Sequence, residues 1–480
     1  MKTSFKIIFS NLLLLKAVTL QAQTVYTLEQ CREMALKNNR TSAIAGRMED
    51  KTAYESKSYR ANFLPKITAT GGYMLTNNSF SKTIAGNYLP TFVPDLATGE
   101  LKPNIVTMPD GTPMIAPDGN PVFKEYAYFP DMKIDMKLNG TYFAGLTAEQ
   151  PIFMGGKITS AYRMSQIGRE MSALNSAVTR AEVIVKTDES YWMHIKALET
   201  RKVATAFKQV IEELMRNVEA AVKAGMKTRN DLLKVQVQMN RADLQIQQSD
   251  NAIRLSHMNL CQVTGLPSDA EFGVREVQGV ASSPTMPSLT MPSEIETINS
   301  RPEFSLLDRQ VELKSQQIKL IRSDYLPNVG LTASYGYLHG PELNGSPLID
   351  KASFSALFTV SIPVFHWGEG INKIRAARAE KHIAELQRDE LKEKMQLEAK
   401  QYENKMQESD LELALTTRTL EQAAENMRII KDSYDKGMET LSACLEAQTL
   451  WQQASLDHLN AQINKHLNQT YYLKATGRLN

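Results

Sequence analysis

Between Lys157 and Ala224 the chain has no proline, and its only glycine there is Gly168. A run so free of helix breakers makes a helix roughly 100 Å long at about 1.5 Å per residue. Few globular cores bury such a rod, so it must pack along another helix. Met164, Ile167, Met171, Leu174, Val178, Ala181 and Val185 step by three and four. After a turn at Gly225-Met226-Lys227-Thr228 the same spacing returns in Leu232, Val235, Met239, Ala242, Ile246, Ser249, Ile253, Ser256, Leu260 and Val263. This is a heptad seam whose second position is often small. Gly156–Gly265 is therefore expected to be a long helical hairpin. Taken alone, it is equally compatible with a coiled coil that only holds two ends apart.

Upstream the period changes. Thr27 with Gln30 forms a capping-box pattern that opens a helical stretch running to Asn62. Past Phe63-Leu64-Pro65, Ile67, Ala69, Gly71, Tyr73 and Leu75 alternate with Lys66, Thr68, Thr70, Gly72 and Met74, which is a period-two strand. Residues 76–130 are rich in Pro, Gly, Asn and Asp and read as a long polar loop. Alternation resumes at Asp131 and is expected to continue to Glu149 as one strand of about 18 residues, longer than a soluble sheet usually keeps. Gln150-Pro151-Ile152-Phe153-Met154-Gly155-Gly156 ends it.

The same order then repeats. Pro302–Asp324 is helical, and Tyr325-Leu326-Pro327 copies Phe63-Leu64-Pro65 262 residues on. Val329 to Tyr337 and Phe354 to Ile362 alternate as strands. Pro363-Val364-Phe365-His366-Trp367-Gly368 copies Pro151 to Gly156 at 212 residues, as Gly437-Met438 copies Gly225-Met226 and Thr476-Gly477 copies Thr264-Gly265. The chain is a tandem duplication. The offset changes once, inside the loop between the two strands, so that loop points into solvent.

The opening Met1-Lys2-Thr3-Ser4-Phe5-Lys6, the apolar run Ile7–Leu15 and the small residues to Ala22 describe a secretory signal peptide cut after Ala22. No cysteine follows at once, so a lipoprotein anchor is not expected, and no later run is apolar enough for a transmembrane helix. Cys31, Cys261 and Cys444 are odd in number and widely spaced; they read as buried small hydrophobes rather than disulfides or a metal site. A net charge of +2 excludes a nucleic-acid partner of the basic-stripe kind. The expected organisation is 1–22 signal peptide, 23–65 N-terminal helices, 66–153 first β-hairpin with a long loop, 154–265 first helical hairpin, 266–299 linker or belt, 300–327 helix, 328–363 second β-hairpin and 364–477 second helical hairpin.

Four strands with an apolar, aromatic face and a small, polar face carry the pattern of a transmembrane β-barrel. An open edge in lipid leaves backbone groups unpaired, and four strands cannot close, so several copies must share one barrel. Two copies would give eight strands and a filled bore; three would give twelve and a lumen.

At this point the chain resembles the TolC-type outer-membrane efflux proteins. The likeness covers nearly the whole mature sequence. It rests on Thr27–Asn39, Arg301-Pro302-Glu303, both Leu-Pro strand approaches and both Pro-x-Phe-x-x-Gly junctions. It rests above all on the turns Ala224–Leu233 and Lys436–Leu445. The resemblance implies an α+β membrane protein. A homotrimer would form a twelve-stranded β-barrel in outer-membrane lipid, continued by a twelve-helix α-barrel in the periplasm. Its periplasmic tip would be gated and dock a periplasmic adaptor, which couples it to an inner-membrane transporter, the resistance-nodulation-division type favoured. The loops Thr76–Pro130 and His339–Lys351 would face outside the cell. The tip positions are Gly225, Asp231, Tyr434, Gly437 and Glu439. In the family an Asp and a Tyr pair at positions kept here as Asp231 and Tyr434, while an Arg that often completes the network is Glu439 here. Of two lumen-narrowing acidic positions, Ala443 loses the acid and Glu446 keeps it, which in a trimer would make a ring of three carboxylates that favours cations. The residues also allow plainer roles: Asp231 capping the returning helix from Thr228, Tyr434 packing between helices, and Glu446 a solvated charge.

Chemistry for catalysis is not expected. The seven histidines form no ligand pair at helical spacing, and there is no Gly-x-Ser-x-Gly, no His-Glu-x-x-His and no phosphate loop. No cofactor or metal is expected. The function expected is a passive exit duct of a tripartite efflux pump. The alternatives are the outer-membrane exit of a one-step (type I) protein secretion system and, in another class, a secreted periplasmic coiled-coil adaptor without a pore.

Overall fold

The computed structural model describes residues 25–275, 298 and 300–479. The expected signal peptide and most of the expected belt lie outside these residues. In chain order the elements begin with β1 (Val25–Tyr26), α1 (Leu28–Asn38), α2 (Arg40–Ala61), β2 (Lys66–Tyr73), β3 (Ser79–Ile84), β4 (Asn87–Pro90), β5 (Phe92–Pro94), β6 (Leu101–Pro103), β7 (Tyr126–Phe129), β8 (Met132–Lys137) and β9 (Tyr142–Met154). They continue with α3 (Lys157–Lys223), α4 (Arg229–Thr264), β10 (Gly273–Val274), α5 (Pro302–Ser323), β11 (Asn328–His339), β12 (Glu342–Leu343), β13 (Ser346–Pro347), β14 (Asp350–Ser361), α6 (Glu369–Asp435) and α7 (Leu441–Ala475). Two compact units result, one of Met1–Tyr59, Thr159–Ile321 and Gly368–Asn480, the other of Arg60–Ile158 and Arg322–Trp367.

In the first unit the duplication is visible in helix length: α3 and α6 each have 67 residues, and α4 and α7 have 36 and 35. Along the α4 seam Val235, Ala242, Ser249, Ser256, Leu260 and Val263 are buried. Small side chains let helix backbones approach closely, and the serine hydroxyls return to their own helix, Ser249 Oγ donating to the Gln245 carbonyl at 2.8 Å. The expected capping box of α1 forms: Gln30 N–H donates to Thr27 Oγ1 at 3.3 Å, and Thr27 N–H to Gln30 Oε1 at 2.9 Å. A buried core joins Cys31 of α1 to Tyr191, Trp192 and Ile195 of α3, Leu260 and Cys261 of α4, and Leu459 and Ile463 of α7. Beside it, Asp188 on α3 is fully buried and receives Arg32 of α1 and Thr470 of α7. All three cysteines are buried and free.

In the second unit the main sheet runs β14-β11-β9-β2, antiparallel throughout. Its register repeats residue for residue between the two halves. Ile67 pairs with Ala148 as Val329 pairs with Val360, and Ala69 pairs with Leu146 as Leu331 pairs with Phe358, the same pairs under the two offsets read from the sequence. One row crosses the whole sheet as Ala69, Leu146, Tyr335 and Phe354. The next row, on the other face, is Thr68, Thr147, Ser334 and Ser355, four hydroxyls abreast. The apolar row is exposed: Leu146, Tyr335 and Phe354 all lie open on the surface of the single chain.

The structure corrects the sequence reading in two places. The single strand expected from Asp131 to Glu149 is two, β8 and β9, broken at Leu138–Thr141, where Gly140 takes a left-handed φ of +83°. Alternation persists through the break because Gly140 happens to fall on the apolar parity. The loop 76–130 is also ordered strand structure. Together β3 and β8, joined by the short β12–β13 hairpin, make a second four-stranded sheet, β13-β12-β8-β3. Further out, Val106 N–H donates to the Val122 carbonyl, Val122 to Met114, and Met114 back to Val106, each at 2.8 Å. Closer in, Thr91 donates to Glu125, Asn104 to Thr91, and Lys124 to Asn104. Two three-way backbone junctions therefore hold the loop.

Candidate functional site

The two hairpin turns are built alike. Gly225 and Gly437 hold φ of +71° and +74°, where a side chain would be strained, and each ends a long helix. Gly225 N–H donates to the Val222 carbonyl and Met226 N–H to that of Ala221; Gly437 and Met438 repeat this on Tyr434 and Ser433. Three residues past each glycine a threonine caps the returning helix, Thr228 for α4 and Thr440 for α7.

Asp231 closes a full capping box. Its Oδ2 accepts from the Thr228 N–H at 3.1 Å and the Thr228 hydroxyl at 2.8 Å, while Asp231 N–H donates to Thr228 Oγ1 at 3.2 Å. Those bonds, with Lys234 and Lys227 nearby, hold its carboxyl below the usual range. Among the described residues no hydrogen bond joins Asp231 to Tyr434. The hydrogen bonds described for the Asp231 side chain go to Thr228. The second turn has Ala443 where the first has Asp231, so Thr440 caps α7 with its hydroxyl alone.

Tyr434 sits half-buried at the end of α6. It packs on a core made by Phe207, Ile211, Leu214 and Val218 of α3, Val235 and Ala242 of α4, and Leu441, Cys444 and Leu445 of α7. Burial pushes its phenol up from the ordinary value. Lys227 of the other turn places its ammonium 5.0 Å from the centre of the Tyr434 ring. Two more lysines tie the hairpins: Lys234 Nζ donates to Ser442 Oγ at 3.4 Å, and Lys431 pairs with Glu213 at 2.8 Å. Sequence reasoning missed all three, and the only local signal was the position of Lys227 two residues after Gly225. Glu439 is partly covered, whereas Glu446 lies on the exposed side of α7, flanked by buried Leu445 and Ala447.

The turns bring together glycines, helix caps, an aromatic ring and lysines. Among the described residues no group of three or more His, Cys, Asp or Glu is placed to hold a metal ion, and no helix is long and apolar enough to cross a membrane.

Long helical hairpins and a four-stranded antiparallel sheet, each built from two repeats, are the fold this chain shares with solved outer membrane channels. The crystal structure of the CmeC outer membrane channel of Campylobacter jejuni superposes with a TM-score of 0.72, covering 94% of this chain and 85% of that one at 18% identity. The open state of the MtrE outer membrane channel of Neisseria gonorrhoeae gives 0.68, over 94% and 88%, at 16% identity. The chain belongs to the outer membrane efflux protein family, whose model matches residues 118–266 and 296–478. Among curated proteins it is similar to the alkaline protease secretion protein AprF of Pseudomonas aeruginosa, with 24% identity over 265 residues. That match takes in 55% of this chain and spans about half, 54%, of AprF. The family resemblance read from the turns and junctions is borne out.

Proposed function

We propose that this chain is one protomer of a trimeric outer-membrane exit duct. The observation that carries the reading is the two-faced sheet. The Ala69, Leu146, Tyr335 and Phe354 row is apolar and exposed, while the Thr68, Thr147, Ser334 and Ser355 row is polar. Such a sheet fits lipid on one side and water on the other. The strands β9, β11 and β14 have 13, 12 and 12 residues, enough for tilted strands to cross a bilayer. Both outer strands, β2 and β14, end the sheet unpaired, which lipid does not tolerate. Three copies close twelve strands around an open lumen, whereas two would close eight around side chains.

The helical hairpins then form the periplasmic tube. The turns at Gly225 and Gly437, with Asp231, Tyr434 and Glu439, form its gated tip and its contact with a periplasmic adaptor. The adaptor joins the duct to an inner-membrane transporter, the resistance-nodulation-division type favoured. Glu446 contributes a lumenal ring of three carboxylates. The duct catalyses nothing, and its cargo is chosen by the transporter. A second reading, the exit duct of a one-step protein secretion system, is favoured by the similarity to a protease secretion protein.

Planar-bilayer recording of the purified protein tests the duct: discrete conductance steps from a trimer in outer-membrane fractions are expected. Recovery as a soluble periplasmic protein without conductance would overturn it. Copurification with a resistance-nodulation-division exporter separates efflux from secretion, where an ATP-driven transporter would be found instead.

A further inference from the structure

The hydroxyl-bearing face of the main sheet is not uniformly polar. The strand register sets successive rows across it. Lys66, Glu149, Thr332 and Leu357 make one, and Thr68, Thr147, Ser334 and Ser355 the next. Then come Thr70, Gly145, Gly336 and Ser353, and last Gly72, Phe143, Leu338 and Lys351. The glycine row is nearly bare. A Cβ on Gly145 would lie 3.1 Å from Gly336 Cα, and one on Gly336 3.0 Å from the Ala144 carbonyl oxygen. The two central strands therefore offer only backbone there. In the last row Phe143 stands opposite Gly72, and a Cβ on Gly72 would lie 2.6 Å from the Phe143 ring. The ring leans across β2 into the place of the missing side chain, yet stays 49% exposed. Beside it come half-buried Leu338 and then exposed Lys351. Among the described residues no ion pair holds Lys351.

We propose that this last row is a subsite for planar aromatic anions passing through the duct. Phe143 supplies the stacking ring, Leu338 an apolar flank and Lys351 the opposite charge. A ring laid on Phe143 extends over the bare Gly145–Gly336 strip without meeting a side chain. Aromatic pairs gain from such offset contact beyond the area they bury. Lys351 lies two strands from Phe143, about 10 Å at the usual strand spacing. That distance suits a fused ring system with its anionic group at the far end. A ring bearing a positive charge would meet the Lys351 ammonium as a like charge. The hydroxyls of Thr70 and Ser353 edge the strip and can bond polar substituents.

The subsite rests on the reading of the hydroxyl face as the wall of a lumen. It is tested with the full-length protein in planar bilayers, with 1-pyrenesulfonate added to both sides. Reversible current steps are expected. Butanesulfonate, an anion without a ring, should block about tenfold less well. Phe143→Leu keeps an apolar cover over Gly72 and removes the aromatic face, so pyrenesulfonate block should weaken about fivefold. Phe143→Tyr should stay within about twofold of the wild type. Lys351→Gln should weaken block about threefold and leave it insensitive to salt. In a sample that conducts, absence of current steps would overturn the subsite and leave the duct standing. Equal block of the wild type and Phe143→Leu, or equal block by the two sulfonates, would do the same. A sample without conductance would remove the duct reading, and the subsite with it.

Discussion

Arg32 forks onto Asp188, its Nε donating to Oδ1 at 2.7 Å and its Nη2 to Oδ2 at 2.5 Å, although the two residues stand on different helices and the aspartate is fully buried. Thr470 completes the carboxylate from α7 at 2.6 Å. Removing one partner of a buried pair leaves an uncompensated charge, which costs about 3–5 kcal/mol. Arg32→Met is therefore expected to lower the urea midpoint of the helical unit sharply. Adding Asp188→Leu should restore much of the loss, because the stranded charge goes with it. A double variant no better than the single one would show that the bridge itself carries the stability.

The Lys227–Tyr434 contact bears on the proposed gate. A cation over an exposed aromatic ring is worth about 0.5–1 kcal/mol, which is about a two- to fivefold change in an equilibrium. If the turns separate on opening, Lys227→Met should raise open probability in planar bilayers by about that factor, and Lys227→Arg should keep the wild-type value. Equal recordings for all three proteins would remove Lys227 from the gate.

Thr228 and Asp231 share one capping box, so their loss should not add. Either Thr228→Ala or Asp231→Ala is expected to cost about 1 kcal/mol, and the pair little more. Their effects on conductance should also match, since the described bonds of the Asp231 side chain go to Thr228. A conductance change confined to Asp231→Ala would reveal a second partner for that carboxylate.

Glu446 is proposed to face the lumen. Replacing it with Gln keeps the shape and removes three charges from a trimer. The reversal potential in a salt gradient should move toward non-selective, and block by divalent cations should weaken. An unchanged reversal potential would mean that Glu446 faces solvent elsewhere.

His194 gives the helical unit a pH dependence. It is 4% exposed, and its Nδ1 lies 2.9 Å from Ser256 Oγ. Burial, helped by neighbouring His257, holds its pKa down to about 4. Unfolding returns it to about 6.5, so the unfolded chain binds the extra proton between those values. Stability is full above about pH 6.5 and falls as pH drops toward 4, by on the order of 3 kcal/mol at most for this group. Burial lowers His466, stacked on Trp192, in the same direction. Melting followed by circular dichroism should show a steeper loss from pH 7 to 4.5 in the wild type than in His194→Gln.

What the residues disclosed and what they hid follow from range. Thr27 with Gln30 announced its capping box because both partners lie within one turn. The apolar parity of Ile67, Ala69 and Tyr73 announced a two-faced strand for the same reason. The offsets carried further: they match each strand residue of the first hairpin to a counterpart in the second, and the pairs inside the two hairpins follow that match. Gly140 concealed the break between β8 and β9, since a glycine on the apolar parity leaves the alternation on either side of it in step. Lys227 and Tyr434 are far apart in the chain, and no periodicity links a turn lysine to a ring at the end of another helix. Asp231 was legible as a cap, and only the likeness to a family recommended a different partner for it.

The ring of three backbone bonds among Val106, Met114 and Val122 has its own consequence. Each of these residues gives one bond and receives one, so the circle closes without help from the sheet below. Whatever touches that end of the molecule meets a fixed shape instead of a tether. Antibodies raised against a linear peptide of residues 104–125 should therefore ignore the native protein, and antibodies raised against the native protein should ignore the peptide.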